Sequence, residues 1–149
     1  MNKNVKVLRK AIQLKSKSKT RVFTNRQGWK TIGEKRIYFR SNWEVAYAKY
    51  LQFLKEKKLI LEWEHEPETF WFENIKRGVR SYLPDFKVTQ CDGSYHYVEV
   101  KGYMDAKSKT KIKRFKKYYP KEHLVVIEAL WFKEMKTKLQ IMDARANVD

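Results

Sequence analysis

Between Tyr82 and Gly102 the chain alternates in a way that few folds can accommodate. Tyr82-Leu83-Pro84-Asp85-Phe86-Lys87-Val88 and Tyr95-His96-Tyr97-Val98-Glu99-Val100-Lys101-Gly102 read as two strands joined by the turn Cys91-Asp92-Gly93-Ser94. A period of two puts Tyr95, Tyr97, Glu99 and Lys101 on one face, and Val98 and Val100 on the other, toward a core. On the first strand Asp85 is opposite in face to Phe86 and Val88. If the apolar faces share one core, Asp85, Glu99 and Lys101 converge on the other face. In an arbitrary hairpin such a trio is a solvated polar face, so the surrounding sequence has to decide between solvation and chemistry.

The charge balance narrows the choice. The chain has 149 residues, the length of one domain, with a formal net charge of +17. That field suits a polyanionic partner, nucleic acid most simply. Residues 1–40 hold 13 Lys or Arg and one acid, Glu34. Lys15, Lys17, Lys19 and Arg21 form a run without apolar period, read as an arm that lies along phosphates; the alternative is a solvated tail. Arg36 and Arg40 flank a short strand that leads into the domain. No apolar run of bilayer length and no signal peptide are expected, and the single cysteine, Cys91, excludes an internal disulfide. No membrane partner and a cytoplasmic setting follow as expectations, in a host cell if the chain is phage-encoded.

Ser41 followed by Glu44 is a capping box that opens a helix running to about Lys58, with Trp43, Ala46, Tyr47, Tyr50, Leu51 and Leu54 on its apolar stripe. Glu44 lies at the border of that stripe, so capping competes with a role facing the sheet. Strands are expected at 60–66 and 69–73. After Gly102, Asp105 caps a helix over 106–119, whose remaining surface carries Lys107, Lys109, Lys111, Lys113 and Arg114; Pro120 ends it. Leu124-Val125-Val126-Ile127 reads as an interior strand, reached from Tyr95 by a strand–helix–strand crossover, and the tail after Trp131 suits a final helix or partner surface.

Pro84-Asp85 followed by Glu99-Val100-Lys101 resembles the PD-(D/E)xK signature of the restriction-endonuclease-like nucleases. The layout from Phe39 to Ile127 is similar to phage endonuclease I-type Holliday-junction resolvases and to the endonuclease subunit of heteromeric transposases. The resemblance implies an α/β fold: a restriction-endonuclease-like core with a central mixed sheet flanked by helices, over 37–149, behind a basic N-terminal arm, 1–36. It implies a metal-dependent DNA endonuclease with Glu44, Asp85, Glu99 and Lys101 as catalytic residues. Glu44, Asp85, Glu99 and the Val100 carbonyl would hold Mg²⁺, with Mn²⁺ able to substitute, because hard cations take oxygen ligands. Lys101 would position or help activate the attacking water, or stabilise developing negative charge.

No base-reading module is recognisable, so selection by phosphate geometry and shape is expected, with branched DNA as substrate. Two symmetric cuts at a junction call for a homodimer. A nuclease subunit of a transposition or packaging assembly shares the same chemistry. A non-catalytic basic nucleic-acid-binding protein is the reading from another class.

Overall fold

The computed structural model describes residues 27–146. The chain begins with an antiparallel hairpin, β1 (Gly28–Ile32) and β2 (Lys35–Phe39), whose two-residue turn starts at Gly33 with φ of 59°. This pairing joins residues on both sides of position 36, so the boundary expected between arm and domain falls inside paired strands. β1 escapes the sequence pattern because Trp29-Lys30-Thr31 shows no apolar alternation.

Helix α1 (Asn42–Glu56) follows, capped by Ser41, whose hydroxyl accepts the Glu44 N–H at 3.2 Å. Val45, Tyr47, Ala48 and Leu51 recur at helical spacing and are its buried face. Four strands make the main sheet: β3 (Glu62–His65), β6 (Phe86–Thr89), β7 (Tyr95–Lys101) and β8 (Leu124–Glu128), in the order β3-β6-β7-β8. β3, β6 and β7 pair antiparallel, whereas β7 and β8 are parallel, so the sheet is mixed. The parallel pair is joined by α2 (Ala106–Tyr118), capped by Asp105, which accepts the Ser108 N–H at 2.7 Å. A small pair, β4 (Phe70–Trp71) and β5 (Ser81–Tyr82), stands apart from this sheet, and α3 (Ala129–Ala146) closes the described chain. Among the described residues no helix is long and apolar enough to cross a membrane.

The sheet buries both faces, against the sequence expectation of one core. Val88, Val98, Val100 and Ile127 pack with α1 and with Phe132 of α3. On the other side Tyr97 joins Phe70, Phe72, Tyr82 and Phe115 of α2 in a second cluster. Tyr97, placed by alternation on a polar face, is therefore core; only Tyr95, at the strand's start, is exposed. The expected strand 82–88 is also divided. Pro84 has no N–H to donate to a ladder. Tyr82 pairs with Phe70 in the small sheet, while Phe86 begins β6. Asp85 occupies the bend between them.

Candidate active site at the start of β6 and the end of β7

The bend decides where Asp85 reaches. Its carboxylate accepts the Val100 N–H at 2.7 Å, and its own carbonyl accepts the Glu66 N–H at 2.8 Å. Asp85 is thereby fixed against the end of β7, one residue from Glu99. Glu99 is 3% exposed on a strand buried on both faces. One of its oxygens accepts the Tyr82 hydroxyl at 2.7 Å, and the other lies 3.0 Å from Lys101 Nζ. Asp85, Glu99 and Lys101 are thus neighbours, although only Glu99 and Lys101 owe this to simple strand alternation.

Glu44 reaches the same region from α1 and is 7% exposed. Its first oxygen accepts from the Ser41 hydroxyl at 3.0 Å, and its second from the Arg40 N–H at 3.3 Å. The capping reading is therefore realised, with the reciprocal bond displaced to Arg40. Burial alone would raise the Glu44 pKa; His65, Ser41 and the Arg40 N–H outweigh it and hold the carboxyl below its ordinary value.

Asp85 goes the other way. Burial, then the negative charges of Glu99 and Glu44, push its pKa up to about 8, against the opposing pull of the Val100 N–H and Lys101. This coupling links all three carboxylates. Burial would lower the Lys101 pKa, but Glu99 and Asp85 overcome it, so the ammonium is held above its ordinary value and stays charged. The Tyr82 hydroxyl is pushed upward by burial and by Glu99, which keeps it a donor.

His65 and Tyr82 are the members that sequence reasoning missed. His65 ends β3 opposite Phe86, its side chain only 8% exposed and its ring edge-on to Phe39 and Phe86. Its Nε2 is buried without a hydrogen-bond partner, 3.6 Å from Glu44. With three scattered histidines and no ligand spacing, the sequence held no signal for it. Tyr82 read only as a strand residue before the motif.

The carboxylates offer oxygen donors of the kind a hard divalent cation takes, in a shielded place, while the His65 imidazole faces Glu44. Among the described residues no three His, Cys, Asp or Glu side chains are gathered into a ready-made cage. Asp85 and Glu99, with backbone oxygen and water, are the residues able to hold such an ion, and Glu44 stands next to them. Val100 has its side chain in the core and its N–H committed to Asp85.

The basic residues are spread around this centre. Lys107, Lys109 and Lys113 are exposed on α2, while Lys111 and Arg114 are half-buried. Arg114 donates to the Val79 carbonyl and, with Lys107, Thr110 and Gly78, lines an open cleft of about 450 Å³. Arg36 is exposed on β2, and Arg40 pairs with Glu66 at 3.0 Å. Lys15, Lys17, Lys19 and Arg21 lie outside the described residues.

No curated protein and no solved structure matches the chain. Residues 24–134 match a family model described as protein of unknown function (DUF1064), a span that starts just before β1 and ends within α3 and so contains every described residue of the carboxylate–lysine centre. The chain belongs to the DUF1064 family.

Proposed function

We propose that this protein is a metal-dependent endonuclease of the PD-(D/E)xK kind, hydrolysing phosphodiester bonds in DNA on a restriction-endonuclease-like core. The observation that carries the reading is geometric: Asp85 is held on the Val100 N–H at 2.7 Å, next to a buried Glu99 that lies 3.0 Å from Lys101 Nζ, with Glu44 charged nearby. Acids brought together in a shielded place against their repulsion, with a lysine beside them, suit a site that gathers a cation and a phosphate.

A bound divalent cation would supply Lewis acidity and neutralise charge on the phosphate. Asp85 and Glu99 would hold it, each carboxylate being oriented by a hydrogen bond, from the Val100 N–H and the Tyr82 hydroxyl respectively. Lys101, held as an ammonium, orients water or stabilises charge on the phosphoryl oxygens and does not serve as a base. Glu44 adds negative charge from the helix side. The surplus of cations supports phosphate binding without base reading, and we extend the proposal to branched DNA cut by a homodimer.

The test offers four-way junction, linear duplex and single strand to the protein with Mg²⁺, with Mn²⁺ and with EDTA. Metal-dependent cleavage that disappears in Asp85→Asn, Glu99→Gln and Lys101→Ala is expected, fastest on the junction. Binding without cleavage under every metal condition refutes the enzyme and favours a non-catalytic nucleic-acid-binding protein.

A further inference from the structure

The β1–β2 hairpin has two unlike faces. Ile32 and Phe39 point into the core, and Lys35 reaches across to Glu62 and to the Trp63 carbonyl. These contacts anchor the hairpin on one side. On the other side Trp29 and Tyr38, directly opposite in register, are 60% and 43% exposed. Their rings meet edge-to-face at 5.7 Å, and the Arg36 guanidinium lies 5.5 Å from the Trp29 ring centre. Thr31 and Arg36 form the next pair along the same face. Arg36 is exposed on the same face as the aromatic pair, and Lys30, next to Trp29 along β1, is exposed from the opposite face.

We propose that this face is a stacking platform for an unpaired nucleobase of single-stranded nucleic acid. An aromatic face backed by a guanidinium takes any base, because every base has a π-face, while nearby cations hold the phosphates on either side. The chain's net charge of +17 selects a polyanion over a neutral apolar partner. Along the chain the platform adjoins the carboxylate centre: Tyr38 is followed by Phe39, whose ring packs on His65 at 4.9 Å from the hairpin's other face, then by Arg40, whose N–H bonds Glu44 at 3.3 Å. A base stacked there belongs to a strand that has lost its pairing close to the site, as at a fork, flap or junction. The inference goes beyond the nuclease proposal and needs neither metal nor cleavage.

Binding of a labelled oligothymidine and of a blunt hairpin duplex, both in EDTA, tests it by fluorescence anisotropy across a salt series. Trp29→Ala should weaken oligothymidine binding about 5- to 100-fold and duplex binding less than about twofold. The salt slope should not change, since every cation that pairs with phosphate is still in place. Trp29→Phe should restore most of the loss, which separates stacking from misfolding. Equal losses on both ligands, no loss on oligothymidine, or a changed salt slope would each overturn the platform, and so would capture of this face by the chain's own first residues. Because binding is read without metal, the result stands apart from whether Asp85 and Glu99 support cleavage.

Discussion

Removing a carboxylate from the proposed centre should make the metal-free protein more stable. Asp85 has its pKa raised from 3.8 to about 8 by burial and by the charges of Glu99 and Glu44. For an acid whose folded pKa exceeds its unfolded one, the folded state holds the proton more tightly. The penalty is absent below about pH 4, grows as pH rises, and is complete only above about pH 8. At about 1.4 kcal/mol per pH unit, the interval from 3.8 to neutrality sets a ceiling of about 4 kcal/mol on what the raised Asp85 pKa, with the proton it takes up on folding, costs at pH 7. Relaxation and water entry reduce this to about 1–3 kcal/mol. Asp85→Asn removes the charge and keeps an oxygen able to accept the Val100 N–H. Urea denaturation in EDTA at pH 7 should therefore show the variant more stable by about 1–3 kcal/mol. The gap should close toward pH 5. Mg²⁺ at a hundred times its dissociation constant should close or reverse the gap, since it adds about 2.7 kcal/mol to the wild type alone. A variant less stable than wild type in EDTA at pH 7, or a wild type whose stability climbs between pH 5 and 8 while the variant's does not, refutes the argument.

Tyr82→Phe removes the 2.7 Å bond to Glu99 and should cost about 1.5–3 kcal/mol by urea denaturation, with cleavage reduced through metal affinity; unchanged stability would mean that Glu99 finds another donor. Gly33→Ala should destabilise by about 1–2 kcal/mol in a thermal melt, because φ is 59° and a Cβ would come within 2.7 Å of the Gln52 amide; an unchanged Tm would show that the hairpin turn relaxes freely. Changing Lys107, Lys109 and Lys113 to Gln together should flatten the salt dependence of duplex binding by about 0.9 in log–log slope for each phosphate no longer neutralised. An identical slope would take the α2 face off the DNA.

What was legible in the sequence was local. Ser41 with Glu44 and Asp105 with Ser108 cap their helices as their spacing requires, because a cap needs only neighbours three residues apart. The register Phe86↔Val98 follows from the turn between the two strands. What was hidden depends on residues far apart. Tyr97 is core because α2 and the β4–β5 pair cover a face that alternation alone assigned to solvent. Asp85 meets Val100 through a bend, and strand periodicity carries no information about bends. His65 meets Glu44 only because β3 lies beside β6 and Phe39 packs on the ring, an arrangement of three separate elements. The aromatic face of the first hairpin was hidden too, because one-signed charge dominates that region and reads as an arm.

The two halves of the centre come from different elements, and Gly102 stands where they approach. Glu99 and Lys101 sit at the end of β7, and Glu44 sits in the first turn of α1. A Cβ on Gly102 would lie 3.4 Å from the Trp43 indole, the residue next to Glu44. That glycine has no left-handed backbone conformation, and a Cβ there would make ordinary contact with the indole, so the strand end and the start of α1 approach closely without crowding. Trp43 is held from behind by Phe132 of α3, whose ring is edge-on at 4.3 Å. The start of α1 is therefore packed between the strand end and α3, and its carboxylate is kept near Asp85, which its charge repels. The two apolar layers supply what that repulsion opposes: Tyr47, Leu51, Val98 and Val100 on one side of the sheet, Tyr97 and Phe115 on the other. The acids stay close because the aromatic and aliphatic packing around them is worth more than their separation, and in the proposed site a cation would offset the repulsion that this packing now opposes alone.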